Sequence, residues 1–114
     1  MNVASISGVE FFITKDGSTI RELHHTAAQS LAEATLEPDE ATQRHYHRVA
    51  EEIYFVLKGS GRMEVDGDTR MIRPGDAVLI PAGAWHTLEN NGSSELRFLC
   101  SCAPAYADAD TFFE

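Results

Sequence analysis

Basic residues are scarce in this chain. Nine Lys and Arg stand against eighteen Asp and Glu, giving a formal net charge of -9 over 114 residues. A basic patch able to track a phosphate backbone or an anionic bilayer is therefore not expected, and neither nucleic acid nor membrane is an expected partner. Long apolar runs are also missing. No stretch approaches the ~18 residues of a membrane span, and the N-terminus has no basic flank leading into an apolar segment, so no signal peptide is expected. The expected location is cytoplasmic. Only two cysteines occur, Cys100 and Cys102. Two positions apart on one strand, their α-carbons would lie roughly 6.6 Å apart, near the outer limit for a disulfide, so free thiols are expected. The length fits one domain, residues 1–114, and hydrophobic content of 43% is ordinary for a globular protein.

What is present is frequent punctuation. KDGS, LEP, KGSG, DGD, RPGD, PAG, NNGS and CAP break the chain into short runs rich in β-formers, an all-β pattern. Strands are expected at 9–14, 30–36, 44–48, 53–58, 61–65, 69–72, 77–80, 86–89 and 95–101. Asp66-Gly67 signals a type I′ hairpin turn. A helix over 39–52 is the rival reading, but that segment has no apolar stripe at 3.6 spacing. The tail after Ala103 carries Tyr106, Phe112 and Phe113 among acids, and docking and fraying are both open for it.

Chemistry concentrates in QRHYHRVAEEIYFVLKGSG and RPGDAVLIPAGAWHTLEN. His45 and His47 share a side of the chain only if the backbone is extended, since strand side chains alternate with period two. Glu52 opens the next extended run, and His86 follows a Pro-x-Gly turn that can swing it back toward the pair. Three imidazoles and a carboxylate suit a divalent transition metal.

These segments closely resemble the two signature motifs of the cupin superfamily of small β-barrels. The first, G-x5-H-x-H-x3,4-E-x6-G, is met by His45, His47, Glu52 and Gly59. The second, G-x5-P-x-G-x2-H-x3-N, is met by Gly75, Pro81, Gly83, His86 and Asn90. The opening glycine of the first motif is replaced by Asp39, which puts the shape of that turn in question and leaves the ligands untouched. Glu51 competes with Glu52, but only Glu52 stands the required six residues before Gly59.

The resemblance implies an all-β double-stranded β-helix, or jelly-roll barrel, with its core at about residues 30–102. It also implies a metal site of His45, His47, Glu52 and His86. A metal with open positions, iron, manganese, cobalt or nickel, fits better than a closed tetrahedral zinc, although zinc is also in range. Alternation places Tyr54, Val56, Leu88, Leu96, Phe98, Cys100 and Cys102 inside the barrel, and Gln43 on the face of His45 and His47. Tyr54 and Gln43 are the candidate catalytic residues, each a polar group that needs a reason to be inside. Cys100 is expected on one wall, as a redox-sensitive thiol or as a small hydrophobe. Trp85 suits either the pocket mouth or the barrel cap, and His24 and His25 suit the surface.

Small cupins resemble dioxygenases, isomerases, epimerases and lyases of small carbonyl or hydroxy compounds. A metalloenzyme of that kind is the leading expectation, and a small-ligand-binding or sensing module is the alternative. The outward apolar stripe Ile53, Phe55 and Leu57 predicts a homodimer.

Overall fold

The computed structural model describes residues 1–114. Eleven strands form, in chain order: β1 Phe12–Ile13, β2 Thr19–His25, β3 Ser30–Leu36, β4 His45–His47, β5 Glu51–Lys58, β6 Gly61–Val65, β7 Asp68–Ile72, β8 Ala77–Ile80, β9 His86–Glu89, β10 Leu96–Ala103 and β11 Thr111–Phe113. Short 3₁₀ turns at Ile6–Gly8 and Asp108–Asp110 are the only helical elements. The strands make a six-stranded sheet, ordered β1-β2-β3-β10-β5-β8, and a five-stranded sheet, ordered β11-β4-β9-β6-β7. All pairings are antiparallel, and the two layers enclose the interior as a jelly roll. The all-β expectation holds, and the rival helix over 39–52 does not form.

Turn chemistry sets the register. Asp66 and Gly67 both have positive φ, 47° and 85°, the signature of a type I′ turn, and they join β6 to β7. Gly59 has φ 77°, and an added Cβ there would stand 2.4 Å from the Glu95 carbonyl oxygen, so only glycine fits. Asp39, in place of the motif glycine, takes φ 71°. Aspartate tolerates that left-handed region better than most residues, and the turn is retained with Asp39 N–H donating to the Asn90 carbonyl at 2.9 Å. Asn90 is fully buried. Its amide donates to the carbonyls of Leu36 and Ser94, each at 2.9 Å, and its carbonyl accepts from Gly92 N–H at 3.0 Å. The last residue of the second motif therefore holds the β9–β10 loop against β3.

The interior changes character along the strands. Ala34, Leu36, Val56, Leu88, Leu96 and Phe98 belong to one apolar cluster of twelve buried residues. Nearer the other end, the same inward faces present Ser30 and Ala32 on β3, Glu52 on β5, His86 on β9, and Cys100 and Cys102 on β10. One half of the barrel is packed and the other holds polar groups around a cavity.

Two segments depart from expectation, and a third, left open, is resolved. β2 has a register shift between Glu22 and His24, and this bulge breaks the alternation by which a strand is read. Of the 9–14 run only Phe12–Ile13 pairs, because β1 is a sheet edge with β2 as its single neighbour. The C-terminal tail docks: β11 pairs with β4, opposing Thr111 to His47 and Phe113 to His45.

Candidate metal centre

Each ligand candidate owes its place to strand geometry. His45 and His47 lie on the buried side of β4, with Tyr46 between them turned outward. Glu52 is 4% exposed on β5, whereas Glu51 points to solvent. His86 opens β9 directly opposite His45 and is fully buried. The three histidines thus come from the five-stranded sheet and the glutamate from the six-stranded sheet.

The second ring nitrogen of each histidine is tied back to the protein. His45 Nδ1 lies 2.6 Å from the Gln43 carbonyl, His86 Nδ1 lies 3.0 Å from the Ala84 carbonyl, and His47 Nδ1 lies 3.2 Å from Thr111 Oγ1. The Thr111 hydroxyl donates to the Ala107 carbonyl at 2.9 Å, which leaves its oxygen to accept from His47. With every Nδ1 acting as donor, the Nε2 atoms are the free lone pairs, and they converge. His47 Nε2 and His86 Nε2 each lie 3.3 Å from Glu52 Oε1. One ligating atom from each of the four residues lies within 4.8 Å of the other three.

This cluster fits a divalent ion. Bonds of about 2.1 Å put adjacent donors about 3 Å apart and opposite donors about 4.2 Å apart, so the set needs only a small contraction. Glu52 Oε1 and His86 Nε2 are buried without a hydrogen-bond partner, which a cation between them would supply. Electrostatics agree. Burial pushes the Glu52 carboxyl up, but the His47 and His86 imidazoles 3.3 Å from it outweigh this and hold the group at about 2. Burial lowers His47, and the Glu52 carboxylate beside it more than reverses this, so its net shift is upward. His45 is pushed down by burial and then by the neighbouring His86 ring.

Beside the cluster is a cavity of about 40 Å³. Tyr54 lines it at 2% exposure, its ring 6.0 Å from that of His86, and burial raises its hydroxyl well above the ordinary value. Cys100 also lines it, with a thiol raised well above its ordinary value by burial and hence protonated. Gln43, expected inward, has an exposed side chain because it precedes β4 and escapes the strand's alternation; its backbone carbonyl serves His45 instead. Trp85 lies on the outer face, edge-on to Tyr46 at 4.7 Å and beneath the Arg44 guanidinium at 5.2 Å. His24 and His25 are exposed.

Several contributors have no signature in the local sequence. Thr111 orients His47 across 64 positions. Cys102 Sγ donates to Glu52 Oε2 at 3.2 Å. Tyr106, from the docked tail, faces the His47 ring at 5.8 Å. Asp16 Oδ1 accepts from Ser18 N–H at 3.0 Å, from Ser18 Oγ at 2.7 Å and from the Thr14 hydroxyl, while Oδ2 faces His45 Nε2 at 3.9 Å.

A jelly-roll barrel with three inward histidines and a glutamate at one end defines a class of β-barrel whose interior could hold a metal ion. The Cupin domain family matches residues 32–102, and the chain belongs to that family. An uncharacterized protein of Methanocaldococcus jannaschii is 42% identical over 105 residues, covering 88% of this chain and 84% of its own length. An oxalate-binding protein of Thermotoga maritima is 33% identical over 79 residues, covering 69% of this chain and 65% of its own length. Among solved structures, Streptomyces PAC13 with uridine superposes with a TM-score of 0.82 at 14% identity, over 97% of this chain and 88% of that one. That last likeness is one of fold.

Proposed function

We propose that this protein is a divalent-transition-metal cupin acting as a metalloenzyme on a small oxygenated compound bearing carbonyl or hydroxyl groups. The observation that carries the reading is the convergence of His45, His47, His86 and Glu52 beside a cavity that Tyr54 lines. Those four residues would hold the ion. When bound, it would supply a Lewis acid with positions open to a chelating oxygen ligand. The protein's own part is positional. Thr111 and the carbonyls of Gln43 and Ala84 fix the imidazoles, Cys102 braces Glu52, and Phe98 with Ala32 keeps part of the wall apolar. Tyr54, kept protonated by burial, is positioned to donate a hydrogen bond to a ligand oxygen.

The test is elemental analysis followed by turnover. About one ion per chain is expected, lost in a His47→Ala, His86→Ala double variant. The loaded protein is then assayed against diketones, hydroxyketones and catechols, with and without dioxygen. Oxygen consumption above that of free iron supports a dioxygenase. Non-oxidative conversion points to an isomerase or lyase, and saturable binding without conversion would replace the enzyme by a ligand-binding module.

We further propose that the protein is a homodimer through the outer face of the six-stranded sheet. Ile53, Phe55 and Leu57 are 41%, 38% and 42% exposed, and Leu79, paired with Ile53 in the register, is 56% exposed. Light scattering at micromolar concentration is expected to give about twice the 12.6 kDa chain mass. A value of one chain mass would refute the dimer.

A further inference from the structure

The cavity beside the metal cluster has an unusual charge inventory. Its sixteen lining residues include three carboxylates, Asp16, Glu22 and Glu52, and no lysine or arginine. Lys15, next to Asp16, is exposed and not part of the lining. Glu52 belongs to the metal set. Glu22 is drawn outward to His25, 3.1 Å away. Asp16 is different. Three hydrogen bonds from Thr14 and Ser18 fix its Oδ1, and this leaves Oδ2 turned toward His45 Nε2 at 3.9 Å, on the cavity side of the cluster. Those bonds make it a rigid charge at a fixed distance from the place a ligand would occupy.

We infer that this site selects small oxygenated ligands that are uncharged or cationic and disfavours dianions, with Asp16 as the discriminating group. The inference rests on the metal-site reading above. A dication beside the Glu52 carboxylate carries one net positive charge, and Asp16 cancels it. An uncharged hydroxycarbonyl compound then enters a neutral site and can donate a hydroxyl hydrogen bond to Asp16 Oδ2. A dicarboxylate such as oxalate instead brings two negative charges into a buried space with no cationic side chain to receive them. Specificity of this kind comes from a repulsive element against the wrong ligand as much as from attraction to the right one.

The experiment uses the intact chain loaded with Mn(II), with metal content measured first and each affinity read by calorimetric titration. The ligands form a charge ladder on a short skeleton: hydroxyacetone, glycolate and oxalate. Asp16→Asn keeps an oxygen to accept the Thr14 and Ser18 bonds and removes the charge. In this variant oxalate is expected to bind about tenfold or more tighter than in the wild type and glycolate about threefold tighter, while hydroxyacetone binds weaker, because the amide nitrogen at the Oδ2 position no longer accepts its hydroxyl. Glu22→Gln, held only by His25, is the second variant and should tighten oxalate by a smaller factor in the same direction. Oxalate affinity unchanged in either variant with metal retained, or hydroxyacetone gaining as much as oxalate, overturns the inference. A wild-type chain that takes up no metal would instead defeat the metal-site reading, so the two failures are told apart.

Discussion

Removing the Thr111 hydroxyl should weaken metal binding although Thr111 touches no metal. In Thr111→Val the side chain keeps its shape and its strand preference on β11, and what is lost is the oxygen that accepts from His47 Nδ1 at 3.2 Å. Thr111 is 9% exposed and His47 3%, so water does not readily replace the bond. A buried imidazole N–H left without an acceptor costs about 1–3 kcal/mol. If the ring answers by rotating or by moving its proton to Nε2, the cost falls on the ligating lone pair. Partners of this kind are worth about ten- to a hundredfold in metal affinity, which is about 1.4–2.7 kcal/mol and agrees with the hydrogen-bond figure. Competition with a chelator of known affinity would measure it, with Thr111→Ser as the control that restores the oxygen. Wild-type affinity, within twofold, in a folded Thr111→Val protein would show that the His47 tautomer is set by something else.

The two adjacent glutamates should separate cleanly: Glu52→Gln should lose metal and Glu51→Gln should keep it, by elemental analysis. The opposite result would mean a register one residue away. In the metal-free protein Glu52 and His47 should together favour folding most from about pH 4.5 to 6.5, against His45, whose lowered value costs stability as pH falls below 6.5. Glu52, lowered from 4.5 to about 2, adds stability above its ordinary value and loses it as pH falls toward 2. His47, raised from 6.5, adds stability below that value and loses it as pH rises through its raised one. Melting temperatures from pH 3 to 9 in chelator check this, and a steady rise through pH 8 would contradict it. Asn90→Ala should destabilise by about 1–3 kcal/mol in urea, because it strands the buried Leu36 carbonyl and releases the part-buried bonds at Gly92 and Ser94.

The ligand residues were legible because their signal is local. His45 and His47 obey strand alternation, Glu52 is fixed by its distance to Gly59, and the turn before His86 carries its own glycine and proline. The same logic misplaced Gln43, since alternation was carried back past the true start of β4. Asp16, Thr111 and Tyr106 were illegible for a different reason. They reach the site from the β1–β2 turn and the docked tail, through contacts spanning tens of residues that no short pattern encodes. β2 stayed hidden because its bulge interrupts the very period by which strands are read.

Glu52 sits in one sheet and the three histidines in the other, so an ion there would be a tie rod between two layers otherwise joined by side-chain packing and, at the packed end, by the Asn90 amide. Loading would then be a mechanical event as well as a chemical one. Backbone amides of β5 and β9, in separate hydrogen-bonded ladders, should slow their exchange with solvent together when metal is added. Part of the binding free energy would go into drawing the layers to a fixed spacing, so a substitution that wedges them apart would register as weaker metal affinity even at the packed end of the barrel.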